Sequence, residues 1–222
     1  MNNIFDNIDK NKEMLASVYN KDKFREFHTD KEAYEWAMNY FGSWINEMES
    51  IKENSDLNNA ANLLDAYTSS LNVPINRLLR GYTEDFEEKQ TEQYYKQISI
   101  ISNEISKFSL QENIIVYRFT HEKLFSTLFE SSEMKENTLF TEKGFMSTTL
   151  VRDLLIEFAK SHKYNCLLKL YLPNGTKGSY MQRKNGINEQ EFLLPPNSTF
   201  KLCGKHISHK YNTIYECTLV NQ

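Results

Sequence analysis

The sequence predicts an α+β fold in which a layer of helices packs on a sheet core. Before about residue 110, apolar residues recur three or four positions apart, as on one face of a helix. After about residue 110, short apolar runs are separated by Gly, Pro, Asn and Ser, which is typical of strands and turns. Neither a repeat nor a low-complexity linker interrupts the chain. We therefore expect one domain over 1–222, with a helical extension at 1–27, a helical part at 28–110 and a strand-rich part at 111–222.

The clearest predicted helix is DKEAYEWAMNYFGSWINEM, residues 30–48. Its apolar residues follow the i, i+3, i+4, i+7 rule and form one face. Thr29 and Asp30 are both suited to cap its first turn, where the helix dipole also favours the charge of Glu32. Further helices are predicted at 6–20, 56–70, 74–80 and 84–107. Pro74 suits a first helical turn, because a proline there loses no hydrogen bond that the helix needs.

Six strands are predicted in the second half from short apolar runs bounded by turn residues. They lie at 114–119, 144–149, 166–172, 190–194, 199–203 and 213–220. A helix rich in Leu and Phe is predicted at 122–130, and the segment 151–162 is helical or irregular.

Composition and charge exclude several classes of protein. With 40% hydrophobic residues the chain of 222 can bury a sizeable core, which excludes disordered and fibrous classes. Lys and Arg total 26 against 30 for Asp and Glu, a net charge of −4, so the chain lacks the basic field of a protein that binds nucleic-acid backbone. No apolar run approaches the ~20 residues of a membrane-spanning helix, and the first residues lack the pattern of a signal peptide.

Cysteine and histidine spacing gives little sign of a disulfide or metal site. Cys166, Cys203 and Cys217 are an odd number without CxxC spacing, so we expect buried apolar side chains. Cys203 with His206 and His209 resembles part of a zinc site, but a fourth ligand is missing and solvated turns are the favoured interpretation. We therefore expect no metal.

Two glutamates, Glu189 and Glu191, flank Gln190 at the start of a predicted strand. Side chains two apart on a strand point to the same face. Two carboxylates this close in a cleft repel each other unless a cation or a shared proton lies between them, so the pair suits water or a positive guest. The alternative is that both decorate the solvent face of an edge strand.

Arg118 lies near the end of the otherwise apolar strand IIVYRF. An arginine emerging into a cleft there suits a forked grip on phosphate or carboxylate, whereas the alternative is a structural ion pair. Ser147, Thr148 and Thr149 lie on another predicted strand, where hydroxyls on one face can orient a carboxylate or simply hydrogen-bond across the sheet. The chain has no Walker A loop, GxGxxG, HExxH or GxSxG motif.

The order of these groups is more informative than any one of them: a strand-end arginine, then GFMSTT, then EQE before a Pro-rich turn. This order resembles the arginine, Ser-Thr-Ser, Glu-x-Glu signature of bacterial mono-ADP-ribosyltransferase toxins, the class that includes iota-type actin-modifying toxins and Rho-modifying exoenzymes. The likeness extends over roughly residues 28–220. It includes DKEAYEWAMNYFGSWI, which resembles the first helix of that family's domain, AYTSSLNVPINRLLRG, which is similar to its YT, IN and LRG segment, and KLYLPNGTKGSYM with EQEFLLPPNSTF, which resemble its last sheet.

The resemblance implies a fold in which an amino-terminal helical layer packs on two mostly antiparallel sheets around an NAD cleft. It implies that Arg118 grips the phosphate or ribose side of NAD and that Arg80 contacts the pyrophosphate. Ser147 is expected to hold Glu191, which binds the ribose 2′-hydroxyl and stabilises the oxocarbenium ion as nicotinamide leaves. Glu189 is expected to orient the acceptor.

Four more residues are expected in the same cleft by this resemblance: Tyr67, Asn76, Thr148 and Phe158. Phe158 is expected to offer an aromatic ring to the nicotinamide, and Tyr180 is the aromatic residue expected to recognise the acceptor. The middle motif reads Ser-Thr-Thr instead of Ser-Thr-Ser, which keeps its first hydroxyl.

The glutamate at 189 predicts arginine as the acceptor, because members of that family with glutamate there modify arginine and those with glutamine modify other side chains. A guanidinium has no free lone pair, so a nearby carboxylate must align it and accept positive charge. The expected reaction moves ADP-ribose from NAD+, a co-substrate, to an arginine of a host protein, with side hydrolysis of NAD+. Alternatives are an NAD glycohydrolase, a transferase acting on another side chain, a glycosidase, or a binding module that kept the fold.

The expected protein target and the expected route of delivery rest on the resemblance alone. Actin is the first expected acceptor by resemblance, and neither nucleic acid nor a membrane span is expected. We expect a monomer that is secreted or injected into a host cell, as a free-standing toxin, an effector or the catalytic part of a longer chain. The stretch before His28 has no room for the amino-terminal docking domain of iota-type toxins.

Overall fold

A computed structural model describes residues 23–51, 59–129, 134–181, 189–210 and 212–222. Within these ranges the chain forms helices in its first part and mainly strands in its second, which confirms the α+β class. Some predictions lie outside the described residues: the helix at 6–20, most of the extension at 1–27, and the ends of the helices predicted at 56–70 and 122–130.

The first helix, α1, runs from Asp30 to Ser50, and its N-cap is Thr29, whose hydroxyl accepts a hydrogen bond from the Glu32 N–H at 3.2 Å. Its buried face is aromatic and aliphatic, and includes Trp36 and Phe41. The helical spacing read from the sequence therefore predicts this face correctly.

Three further helices of the helical layer lie within the described ranges. They are α2 (Ala60–Ala66), α3 (Asn72–Leu79) and α4 (Glu88–Ile105). A single wide turn of π-helix, Tyr67–Leu71, joins α2 to α3. Such insertions often mark functional sites, because they redirect side chains without ending the helix. A short 3₁₀ turn, Thr83–Asp85, precedes α4.

In the strand-rich part, the described residues form eight strands and two short helices. In chain order the elements are β1 (Ile114–Thr120), α5 (Glu122–Ser126), β2 (Leu139–Glu142), β3 (Met146–Thr149), a 3₁₀ turn (Arg152–Leu155), α6 (Ile156–Ser161), β4 (Cys166–Leu172), β5 (Ser179–Met181), β6 (Glu191–Leu194), β7 (Ser198–Ser208) and β8 (Asn212–Asn221).

The strands form one sheet in the order β2-β7-β8-β4-β1-β3-β6-β5, in which only β4 and β8 pair in parallel among the described strands. The two sheets implied by the resemblance are therefore corrected to one mixed, mostly antiparallel sheet. The reason is a narrow join: β1 pairs with β4 along its whole length, but with β3 only at Tyr117 opposite Thr149. Beyond this pair β1 and β3 separate, which leaves room for a cleft between a five-stranded and a three-stranded half.

Several strand boundaries differ from the sequence predictions. The strand predicted at 144–149 begins only at Met146, and the one predicted at 190–194 begins at Glu191. Two short strands, β2 and β5, were not predicted, because runs of three or four residues are too short to show an alternating pattern.

The sheet is buried on both faces. Alternate residues of β1 face opposite sides, so that Ile114 and Val116 join the main core beneath the helices, while Ile115 and Tyr117 join a smaller cluster on the other face. All three cysteines are free; Cys166 and Cys217 are buried as expected, whereas Cys203 is only half-buried, which corrects the expectation for that residue. Among the described residues, no helix has the length and apolar character needed to cross a membrane.

Candidate active site

A cleft of about 400 Å³ opens where β1 and β3 separate. Its walls come from the ends of these two strands, the π-helical turn, the α6 region and the residues just before and at the start of β6. Six of the residues predicted for the site line this cleft: Arg118, Ser147, Thr148, Phe158, Glu189 and Glu191. The fold thus brings together groups that lie up to 73 positions apart in the sequence (118 to 191).

Arg118 crosses the gap between the two halves of the sheet. Its Nη1 donates a hydrogen bond of 2.7 Å to the backbone carbonyl of Ser147 on β3. The guanidinium has five N–H donors in a planar fork, so this one bond does not use up its capacity to donate. Arg118 therefore helps to set the width of the cleft and also lines it.

Strand register places the hydroxyl residues of β3 beside Glu191. Thr149 lies directly opposite Glu191, and Ser147 lies two residues before Thr149 on the same face, opposite Leu193. Glu191 is only 4% exposed. The hydroxyl of Thr148 instead donates to the Phe192 carbonyl at 2.6 Å, so its main contact holds β6 to β3.

The two glutamates reach the cleft in a different way from that predicted. Gln190 between them has a left-handed backbone, with φ of 44°, so that Glu189 and Glu191 are not successive same-face residues of one strand. Both nevertheless line the cleft. The expectation that strand alternation brings them to one face is therefore corrected: a turn at Gln190 brings both to the cleft.

Tyr67 and Asn76 lie behind the cleft and are not among the residues that line it. Tyr67 is 1% exposed, and its hydroxyl accepts a hydrogen bond of 3.1 Å from Asn76 Nδ2. Burial raises the pKa of the Tyr67 hydroxyl, and the negative charge of Glu191 acts in the same direction, which places this buried tyrosine within electrostatic reach of the carboxylate. Their position corrects the expectation that both line the cleft: they support its wall.

Asn76 holds the segment before β3 by bonding both backbone groups of Phe145. Its Oδ1 accepts from the Phe145 N–H at 2.8 Å, and its Nδ2 donates to the Phe145 carbonyl at 3.3 Å. These bonds replace strand pairing, which is why β3 starts later than predicted. Gly144 permits the approach, since a Cβ there would lie 2.7 Å from Asn76 Oδ1.

We expect Asn76→Ala to lower the free energy of unfolding by about 1–3 kcal/mol, because the buried Phe145 N–H and the Tyr67 hydroxyl lose their partner. Urea denaturation followed by circular dichroism measures this difference. A change within about 0.5 kcal/mol, the range of an ordinary surface substitution, would show that the clamp adds no stability.

Arg80, at the C-cap of α3, donates two hydrogen bonds of 2.9 Å each to the carboxylate of Glu142 on β2. Glu142 also accepts from the Gly144 N–H at 2.8 Å, so the pair ties α3 to the turn before β3. Arg80 does not line the main cleft, but it lines a second one of about 220 Å³ that shares Arg118 with the first. Arg118 thus lines two neighbouring depressions.

An aromatic group that was only partly predicted lies at the edge of the cleft. The ring of Phe158 lies 4.0 Å from that of His162, which in turn stacks at 5.7 Å on Tyr164. Tyr164 lines the cleft together with Phe158. The sequence carries no clear signal for Tyr164, because it follows the helix in an irregular segment without a motif.

Within the described residues, no group of three or more His, Cys, Asp or Glu side chains is arranged to hold a metal ion. Cys203 Sγ contacts the Lys201 carbonyl, and His206 Nδ1 lies 3.9 Å from a Glu216 oxygen. These described contacts give no support to a zinc site at Cys203, His206 and His209.

A family model described as "ADP-ribosyltransferase exoenzyme" matches residues 33–219, which include every predicted site residue. The chain belongs to this family. The resemblance to bacterial ADP-ribosyltransferase toxins, which use NAD as a co-substrate, is thereby confirmed.

One curated relative is the "NAD(+)--arginine ADP-ribosyltransferase EFV" of Enterococcus faecalis, 27% identical over 140 residues. The match covers 61% of this chain and 27% of that protein, so this chain spans only a part of the length of the relative.

Solved structures of the family share the fold. The ADP-ribosylating toxin BECa of a binary enterotoxin of C. perfringens, solved with NADH, matches with a TM-score of 0.69 and 22% identity over 89% of this chain and 50% of that one. The C3stau2 protein of S. aureus, solved with NAD, matches with a TM-score of 0.68 and 21% identity over 90% of this chain and 100% of that one. At these identities the likeness establishes the fold.

Proposed function

We propose that this protein is a mono-ADP-ribosyltransferase. It would move ADP-ribose from NAD+ to an arginine of a protein and release nicotinamide. The observation that carries this proposal is the convergence of Glu189 and Glu191 on one cleft with Arg118 and Ser147. The name of the Enterococcus relative, an NAD-arginine ADP-ribosyltransferase, supports arginine as the acceptor.

The hydrogen-bond donors and aromatic rings of the two depressions that share Arg118 suit NAD+. Arg118 is proposed to bind a phosphate or the adjacent ribose, since its planar fork matches phosphate oxygens and it lines both depressions. Arg80 has given two of its five N–H donors to Glu142 and is proposed to offer a remaining one to the pyrophosphate. Phe158 is proposed to stack on the nicotinamide ring, with Tyr164 beside it.

Glu191 is proposed to bind the ribose 2′-hydroxyl and to stabilise positive charge at the reacting carbon. Bound NAD+ would supply the reacting ribose carbon. The bond between this carbon and nicotinamide would break, and its electron pair would go to nicotinamide. A buried carboxylate acts strongly on the positive charge that develops, because little water screens it. Ser147 is proposed to orient Glu191 from the same face of the sheet.

Glu189 is proposed to align the acceptor. It lines the cleft but is less buried than Glu191, so it stands nearer to an incoming side chain. A guanidinium nitrogen attacks the ribose carbon, and Glu189 accepts the hydrogen bond and the proton that the nitrogen releases. Water reaches the same carbon without this help, which yields hydrolysis as a side reaction.

The biological setting is proposed by analogy with the family. We propose a secreted or injected toxin that acts as a monomeric catalytic domain, with actin as the first acceptor to test. Fold-level analogy alone identifies no partner, so the acceptor must be found by experiment.

The proposal is tested by incubating the protein with NAD+ labelled in the adenylate part and agmatine, a small guanidino compound. We expect both nicotinamide release and labelled ADP-ribosylagmatine. Nicotinamide release without labelled agmatine would favour a glycohydrolase or a different acceptor, and the absence of both would refute the proposed reaction.

Arg118→Lys is expected to raise the NAD+ dissociation constant at least about tenfold, which is a loss of about 1.5 kcal/mol or more of binding free energy. The reason is that an ammonium cannot keep the bond to the Ser147 carbonyl and also make a forked contact with a phosphate. Isothermal titration calorimetry measures it. Arg25→Lys, an exposed arginine paired with Glu32 and Glu112, is the matched control. Unchanged affinity with a folded Arg118 variant would remove Arg118 from the NAD+ site, and an unfolded variant would show that its bond to the Ser147 carbonyl serves the fold instead.

A chelator is expected to leave nicotinamide release unchanged. The electrophile forms by loss of a cationic leaving group, which requires no Lewis acid. The assay is run before and after dialysis against EDTA. If EDTA stopped the reaction and zinc restored it, the group of Cys203, His206 and His209 would have to be reconsidered.

A further inference from the structure

Gln190, the residue between the two glutamates of the cleft, is held from three directions. Its backbone carbonyl accepts a hydrogen bond of 2.9 Å from the Leu150 N–H, just after β3. Its side-chain oxygen accepts one of 2.9 Å from the Tyr180 hydroxyl on β5, and its side-chain nitrogen donates to Asp30 Oδ1 in the first turn of α1. The turn that carries both glutamates is thus tied to three separate elements.

The side chain of Gln190 has only one orientation that satisfies these partners. A carboxylate can only accept, so the NH₂ group must face Asp30, and the carbonyl oxygen is left for the Tyr180 hydroxyl. Gln190 and Tyr180 are each 2% exposed, so the bond between them is shielded from water, whereas Asp30 is an exposed residue that Gln190 reaches from the buried side. This position of Tyr180 corrects its expected role in acceptor recognition, because its ring is buried and its hydroxyl is committed to Gln190.

The backbone of Gln190 is left-handed, with φ of 44°. Residues other than glycine seldom adopt this conformation, and they keep it where the surrounding contacts specify it. Here the three hydrogen bonds supply that specification. The turn also sets the direction in which the preceding residue, Glu189, leaves the sheet.

The two glutamates depend on this turn to different degrees. Glu191 is the first residue of β6 and is in register with Thr149 of β3 and Met181 of β5, so the sheet itself fixes its position. Glu189 precedes the strand and is joined to it through Gln190. A loosened turn therefore displaces Glu189 much more than Glu191.

We propose that the Asp30, Gln190 and Tyr180 network positions Glu189 for the acceptor, and that Asp30 and Tyr180 are positioning residues for transfer but not for cleavage of NAD+. This inference rests on the proposed function. Neither Asp30 nor Tyr180 lines the cleft, so their effect must pass through Gln190.

Activity assays separate this role from a general structural one. We expect Asp30→Ala and Tyr180→Phe each to reduce agmatine labelling about tenfold while NAD+ hydrolysis stays within about twofold, since small displacements of an aligning group cost this much. Asp30→Asn is the matched control, because its Oδ1 still accepts from Gln190 while the charge at the helix N-terminus is equally lost. Labelling close to wild type is expected for it. The proposal would be overturned if labelling and hydrolysis fell in parallel. It would also be overturned if neither Asp30→Ala nor Tyr180→Phe lost labelling.

A second measurement is independent of the acceptor. The Leu150 N–H bonds the Gln190 carbonyl, so its amide hydrogen exchange reports whether the turn is held. We expect exchange to accelerate about tenfold in Asp30→Ala and to stay near wild type in Asp30→Asn. Unchanged exchange in Asp30→Ala would overturn the network. If the wild-type protein failed to label agmatine, the proposed function would fall, and the exchange result alone would decide whether the network holds this turn.

Discussion

Glu191→Gln is expected to abolish both NAD+ hydrolysis and transfer, with a loss on the order of 10² or more, because a neutral amide cannot stabilise the positive charge that develops at the ribose carbon. The substitution keeps the size and shape of a side chain that is only 4% exposed and lies in the strand ladder. The protein should therefore stay folded. Release of nicotinamide from NAD+ is the measurement.

The matched control is Glu35→Gln, which removes an equal charge from an exposed side chain of α1 that pairs with Lys31. It should release nicotinamide like the wild type. Activity of Glu191→Gln close to that of this control would take the catalytic role away from Glu191.

Glu189→Gln is expected to separate the two reactions. Cleavage of the nicotinamide bond with water as acceptor needs Glu191 and the groups that bind NAD+, whereas attack by a guanidinium also needs a carboxylate that aligns it and takes its proton. We expect hydrolysis to persist and labelling of agmatine to fall by about 10² or more, the range typical of removing a general base.

Both activities must be measured on one preparation, with Glu35→Gln again as the control. Equal loss of both would mean that Glu189 also serves the first step. Retained labelling of agmatine would mean that another group activates the acceptor, and the proposed arginine specificity would lose its structural basis.

The sequence predicts most of the fold because apolar spacing is local. The helix at 30–48 and the strand at 166–172 were predicted closely, since each is long enough to show its period and is bounded by polar or turn residues. The single sheet was not predictable in this way. It depends on one pairing between β1 and β3, which no local pattern records.

The two strands near the site begin later than the sequence predicts, and the reason is the same for both. The strand predicted from Gly144 starts late because Asn76 bonds the backbone of Phe145, and the one predicted from Gln190 starts late because that residue turns left-handed. In both places a contact from a distant element overrides the apolar pattern. Such contacts occur at functional sites, where side chains must point in directions that regular strand pairing does not allow.

The candidate site itself was found through the order of its motifs, but its supporting residues were not. The resemblance implied that Tyr67 and Asn76 line the cleft and left Tyr180 as the aromatic residue for acceptor recognition. In the structure Tyr67 and Tyr180 are buried, and all three hold other residues in place. Burial of a polar side chain behind a site follows from tertiary packing, so sequence spacing alone cannot distinguish it from a residue that contacts the ligand.

The central claim is that the acceptor is an arginine, and mapping the modified residue tests it most directly. A eukaryotic cell lysate is incubated with the protein and labelled NAD+, with Glu189→Gln as a parallel reaction, and the modified peptides are identified by mass spectrometry with electron-transfer fragmentation. We predict ADP-ribose on arginine side chains in the wild-type reaction and its loss in the Glu189→Gln reaction. Modification of asparagine, glutamine or cysteine side chains by the wild-type protein would contradict the account.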